Sequence, residues 1–281
     1  MMLVGFALVV WGLGWALNVW LARFGGRWVS LVSALVFGVT LLLVWELVVR
    51  GLEVPSVILP PPSAIGARLA DPAAQGVLWG DFVQTFVKGA LTGYVLGCGA
   101  GFLVALATDR SPFLQAGLLP VGNFVAALPI IGMAPILVMW FGFDWQSKAA
   151  IVVVMVFFPM LVNTVAGLRE TSAMQRDLMR TYAASYWQTL LKLRLPAAAP
   201  FIFNGLKIAT TLALIGAIVA EFFGSPTKGM GFRISTEVGR LSLDMVWAVI
   251  AVAALSGSAF YGGIALLEKA ATFWHPSQRE R

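Results

Sequence analysis

Long runs of apolar residues with at most one charge apiece constrain this chain more than anything else. A helix that crosses a bilayer needs about 20 predominantly apolar residues, and such runs occupy residues 2–22, 29–49, 82–108, 149–168, 196–220 and 245–267. A further uncharged run, 111–143, has 33 residues, too many for one simple crossing, and is punctuated by Pro112, Pro120, Pro129 and Pro135. It predicts one span plus a broken or interfacial segment. Only 11% of the residues are charged, where a soluble domain carries about 25%. Backbone in hydrocarbon must satisfy its own hydrogen bonds, and the strict alternation of barrel strands is absent, so the spans are helices. The expected fold is an all-α, polytopic membrane bundle of about seven transmembrane helices. The first run lacks the basic leader of a cleavable signal and reads as a retained span.

Basic residues set the orientation, because Lys and Arg concentrate in short cytoplasmic loops. With the 169–195 loop inside, alternation places eleven Lys and Arg in the cytoplasm and five outside. The C-terminus is then cytoplasmic. The net charge of +6 is scattered between apolar runs, which suits a membrane surface rather than nucleic acid. The single cysteine, Cys98, and the single histidine, His275, exclude a disulfide framework and a Cys- or His-rich metal site. No catalytic residue, metal ligand or cofactor is expected. Gly89, Gly93, Gly97 and Gly101 recur every four residues and form a stripe for close helix approach.

The segment 177–200, DLMRTYAASYWQTLLKLRLPAAAP, lies between two spans on the basic side. Residues 181–191 contain no Gly or Pro, and Tyr182, Tyr186, Leu190 and Leu193 share one helical face. A short amphipathic helix is expected there, ended by Pro196, which also starts the next span. This segment resembles the cytoplasmic loop of permease subunits of bacterial ABC importers, whose pattern is Glu-Ala-Ala, three residues, Gly, nine residues, Ile-x-Leu-Pro. Asp177 falls at the Glu position, Leu178 and Met179 at the alanines, Ala183 at the Gly, and Leu193-Arg194-Leu195-Pro196 at the end. Ala183-Ala184-Ser185 is similar to the Gly-Ala-Ser common at that turn. Leu59-Pro60-Pro61-Pro62-Ser63, Trp140-Phe141-Gly142, Ala220-Glu221 and Gly229-Met230-Gly231 resemble segments of the branch that imports sulfonates, taurine, nitrate and thiamine-precursor pyrimidines.

The resemblance implies a type I-like importer in the bacterial inner membrane, with six family-like spans and an extra N-terminal one. It divides the chain into an extra helix and basic turn (1–27), a span with a Pro-rich periplasmic segment (28–81), a permease core (82–274) and a cytoplasmic tail (275–281). It implies a second permease subunit, expected as a homodimer, a cytoplasmic ABC ATPase dimer, a periplasmic substrate-binding protein and contact with lipid. The ATPase-coupling residues it implies are Asp177, Thr181, Tyr182, Ala183, Ala184, Ser185, Tyr186, Leu190, Leu195 and Pro196. ATP hydrolysis is expected in the partner, since the Gly-Lys pair of a phosphate-cradling loop is missing from the chain.

Four residues are candidates for the pathway: Asn204, Glu221, Pro129 and Pro135. Each also has a structural reading: interhelical hydrogen bonding for Asn204, local pairing for Glu221, a break joined to an external segment for the prolines. Glu46 is expected to pair with Arg50, and Lys207 to snorkel. The substrate is expected to be a small organic solute, leaning to a pyrimidine or aromatic nitrogen compound. The alternative is a secondary transporter, which usually shows inverted repeats and midplane charge; neither is evident here.

Overall fold

In a computed structural model of the chain, residues 2–126, 129–224 and 227–274 are described, and all their regular structure is helical. The helices are α1 (Met2–Leu21), α2 (Arg27–Gly51), α3 (Pro62–Ala70), α4 (Pro72–Arg110), α5 (Pro112–Ala126), α6 (Ile130–Phe141), α7 (Trp145–Leu168), α8 (Ala173–Thr181), α9 (Tyr186–Phe223), α10 (Met230–Gly239) and α11 (Leu243–Ala271). Six of them, α1, α2, α4, α7, α9 and α11, are long and apolar enough to cross a membrane. The expected tail, 275–281, and His275 lie outside the described residues.

The proline-punctuated run is two helices. At 15 and 12 residues they reach about 22 and 18 Å, each short of a hydrocarbon core of about 30 Å, while together they exceed it. Pro129 caps the start of α6, where its missing N–H costs nothing.

The contacts divide the chain into two units. One holds the residues up to Val77 together with Ile234–Ile250. In it α1 and α2 form a hairpin in which Thr40 packs against Gly14, and Trp11 meets Phe37 edge-on at 6.4 Å. Glu46 pairs with Arg50 as expected, and also accepts the N–H and hydroxyl of Ser63 at the start of α3.

The other unit runs from Leu78 to Arg233 and resumes at Ala251. Its centre is α7, flanked by α4 and α9. Ala90, Tyr94 and Cys98 of α4, Val152, Val156 and Met160 of α7, and Ala209, Ala213 and Ala217 of α9 form the buried core. The glycine stripe is what lets α4 close on α7. A β-carbon on Gly97 would lie 2.5 Å from Val156 Cγ2 and 2.9 Å from Val153 Cα. Helix backbones can pack this closely only over small residues. Lys207 forms an ion pair with Glu268, near the end of α11, at 2.7 Å, both side chains largely shielded.

Candidate functional site

The loop between α7 and α9 is built by two capping boxes. Ser172 accepts the N–H of Gln175 while the Gln175 side chain accepts the N–H of Ser172, which starts α8. Ser185 and Gln188 repeat the device and start α9. Such reciprocal caps satisfy backbone donors left over in the first turn. Between them α8 ends in a Schellman motif: Ala184 N–H donates to Met179 C=O at 3.0 Å, and Ala183 N–H to Arg180 C=O at 2.8 Å. Ala183 takes the left-handed conformation this requires, with φ +51°. The glycine of the resembled pattern falls at this same position, where a side chain is strained.

This geometry corrects the expected helix at 181–191. The helix in the loop is α8, which stops at Thr181, and the chain turns through 182–185. Pro196 does not end a helix either. A π-helical turn over Leu190–Arg194, where Leu195 N–H bonds to Leu190 C=O, shifts the hydrogen-bond register just before the proline, so α9 runs on through it. The expected shared face of Tyr182, Tyr186 and Leu190 is also lost. Tyr182 is 77% exposed, while Leu190 is buried against Leu168 and Ala198.

The exposed apolar face belongs to α8. Met174 and Leu178 of α8 and Tyr182 at its C-cap follow at i, i+4 and i+8 and are 83%, 56% and 77% exposed; no α8 residue is buried. Asp177, Thr181 and Arg180 flank this stripe and are exposed. Sequence reading missed Met174 and Leu178 as face residues, though the Ser172-x-x-Gln175 box gives the helix start.

The base of the loop is clamped to the bundle. Arg194 makes a bidentate pair with Asp109 at the end of α4, at 2.7 and 2.6 Å, and donates to Leu168 C=O at the end of α7. Tyr186 donates its hydroxyl to Asp109 at 3.0 Å. Charge-assisted, two-point contacts of this kind fix orientation as well as distance. Thus Tyr186, Leu190, Leu195 and Pro196 belong to the anchored side, and Asp177, Thr181 and Tyr182 to the exposed one. Ala183, Ala184 and Ser185 form the turn between.

A second polar cluster gathers three consecutive backbone donors at the start of α10. Gly229 N–H donates to Asp81 at 2.8 Å, Met230 N–H to the Thr85 hydroxyl at 2.7 Å, and Gly231 N–H to Glu221 at 2.7 Å. Thr85 in turn donates to the Glu221 carboxylate, and Arg233 pairs with Asp81 at 2.7 Å. Carboxylates suit a helix N-terminus. Gly229 has φ +134°, and a β-carbon on Gly231 would meet Glu221 Cβ at 2.9 Å, so both positions need glycine. Glu221 is 2% exposed and its oxygens are occupied within this cluster. Nearby, Lys148 donates to the carbonyls of Phe143 and Gly224. Asp144 caps α7, and the Gln84 amide, followed by the Trp145 N–H, holds its carboxyl below the usual aspartate range.

Of the other pathway candidates, Asn204 is exposed and donates to the Asn163 side chain at 3.0 Å. Pro129 caps α6 and Pro135 lies within it, beside an apolar cavity of about 340 Å³ lined by Ile130, Met133, Met155, Phe158 and Leu212 among others. Among the described residues, no group of three or more His, Cys, Asp or Glu is placed to hold a metal.

Residues 93–272 match the model of the family described as "Binding-protein-dependent transport system inner membrane component". The chain is 34% identical to a Haemophilus influenzae protein described as a probable ABC transporter permease, over 80% of this chain and 90% of that one. It is 30% identical to the formylaminopyrimidine transport permease of Halalkalibacterium halodurans (86% and 95% covered) and 27% identical to the taurine transport system permease of Escherichia coli (84% and 86%). In structure it resembles a chain of the MetNI methionine ABC transporter in an inward-facing form. The TM-score is 0.54 at 20% identity, covering 70% of this chain and 95% of that one.

Proposed function

The chain belongs to the family of binding-protein-dependent transport system inner membrane components, and from that membership we propose how it works. It is a multi-pass inner-membrane permease subunit of the ABC importer type, with a type I importer-like fold, and serves a small solute. The secondary-transporter alternative is not favoured.

The finer reading is that α8 docks in a surface groove of a cytoplasmic ABC ATPase and passes its closure on ATP binding to the spans. The observation that carries it is the stripe Met174, Leu178 and Tyr182, left uncovered on a helix in a polar, basic loop. An amphipathic helix with an open apolar face is the usual ligand of a hydrophobic groove. The clamp supports the second half of the reading. Arg194 joins the start of α9 to the ends of α4 and α7, so a push on the loop reaches three spans as one body. Two copies would form the pathway, fed from the periplasm by a binding protein. The exposed Asn163–Asn204 pair supports a lining role, since polar groups at membrane depth face a partner or a water-filled path. The solute is a small one of the pyrimidine, sulfonate, taurine or nitrate class; the apolar walls beside α6 favour a pyrimidine-like compound. Two of the relatives are named for formylaminopyrimidine and taurine.

Uptake into vesicles tests this. The chain, its ATPase and its binding protein together should import radiolabelled solute only with ATP, with omission of any one abolishing uptake. Uptake driven by an ion gradient without the ATPase would overturn the reading in favour of a secondary transporter.

A further inference from the structure

At the basic end of the bundle, outside the α8 stripe, a cleft of about 480 Å³ opens between α4 and the start of α9. Leu103, Leu106 and Leu190 line its apolar wall; Arg110, Ser111 and Trp187 lie at its polar end. Leu103 is 65% exposed on a membrane-crossing helix, so the wall continues onto a lipid-facing surface. Trp187 is 57% exposed, as an aromatic anchor at the headgroup level would be.

The charge in this cleft is uncompensated. Asp109, the neighbouring carboxylate, is held in a bidentate pair by Arg194. Arg110 instead lies over the Tyr186 ring at 5.2 Å, and among the described residues it has no acidic or hydrogen-bonding partner. Its place in the last turn of α4 suits the helix dipole but leaves the guanidinium open. A planar cation with free donors recognises phosphate.

We propose that this cleft binds one anionic phospholipid, its phosphate on Arg110, its headgroup beside Ser111 and Trp187, and an acyl chain along Leu103 and Leu106. On the orientation set by the basic loops the cleft opens to the cytoplasmic leaflet, where basic pockets between spans meet anionic lipid. The apolar wall selects a lipid over a free phosphate, which would leave it empty.

The test is native mass spectrometry of the full-length chain mixed with palmitoyl-oleoyl phosphatidylglycerol or the matching phosphatidylcholine. The wild type should retain phosphatidylglycerol about fivefold better, the effect of one basic residue at a membrane surface. Arg110→Gln should lose that preference and Arg110→Lys should keep it. Millimolar inorganic phosphate should not displace the lipid. As an independent readout, vesicles of brominated phosphatidylglycerol should quench the fluorescence of the wild type more than that of Trp187→Phe. An unchanged preference in Arg110→Gln, equal quenching, or displacement by phosphate alone would overturn the proposal.

Discussion

Two residues make the most local claims. Ala183 sits at φ +51°, where a β-carbon costs about 1 kcal/mol that glycine does not incur. Ala183→Gly is therefore expected to stabilise the chain, raising its thermal midpoint in detergent by about 2–4 °C; a lower midpoint would mean the turn is unstrained. Thr85 is buried, donates to Glu221 and accepts from Met230 N–H. Thr85→Val keeps the shape and strands that N–H, which costs about 1–3 kcal/mol. Chemical unfolding should show the loss. A variant as stable as the wild type would mean that the cluster does not hold α10 in place. In the sequence Glu221 is legible only as a carboxylate at the end of a span, open to a pathway role or to local pairing. Its partners Thr85 and Gly231 come from other segments, 136 and 10 residues away, and local pattern does not report them.

At the scale of elements, the spans were legible because length and apolarity decide them with little help from tertiary context. The four-residue glycine spacing was legible too, and here it serves packing within the chain. Gly97→Leu should push α4 off Val153 and Val156 at a cost of about 1–3 kcal/mol or more. Reduced recovery of folded protein from the membrane, with the lower midpoint, is the expected result; wild-type behaviour would place that glycine away from α7. The boundaries of the loop helix were not legible from apolar spacing alone. Tyr182, Tyr186 and Leu190 fit a helical period, but the left-handed Ala183 interrupts it, and a period count cannot see a reversal of the chain. The two Ser-x-x-Gln boxes carried the correct starts. Pro196 misled for a different reason. The π turn before it absorbs the lost hydrogen bond, so a residue that normally marks a helix start sits well inside α9.

For the whole molecule, the central claim is that one exposed helix connects a membrane bundle to a separate source of energy. The bundle offers an anchored side, where Arg194, Asp109 and Tyr186 bind the loop to the spans, and an open side, where Met174, Leu178 and Tyr182 are exposed. Charge on the open side should abolish docking and leave the fold intact, since Leu178 is 56% exposed. The direct measurement is co-purification of the chain with its ATPase from solubilised membranes, comparing the wild type with Leu178→Asp. The account predicts that the variant reaches the membrane in normal amount, elutes as the wild type does, and retains less than a tenth of the ATPase, a loss of about 1.4 kcal/mol or more in docking. Retention of the ATPase at the wild-type ratio would contradict it, and the coupling surface would then have to lie elsewhere on the chain.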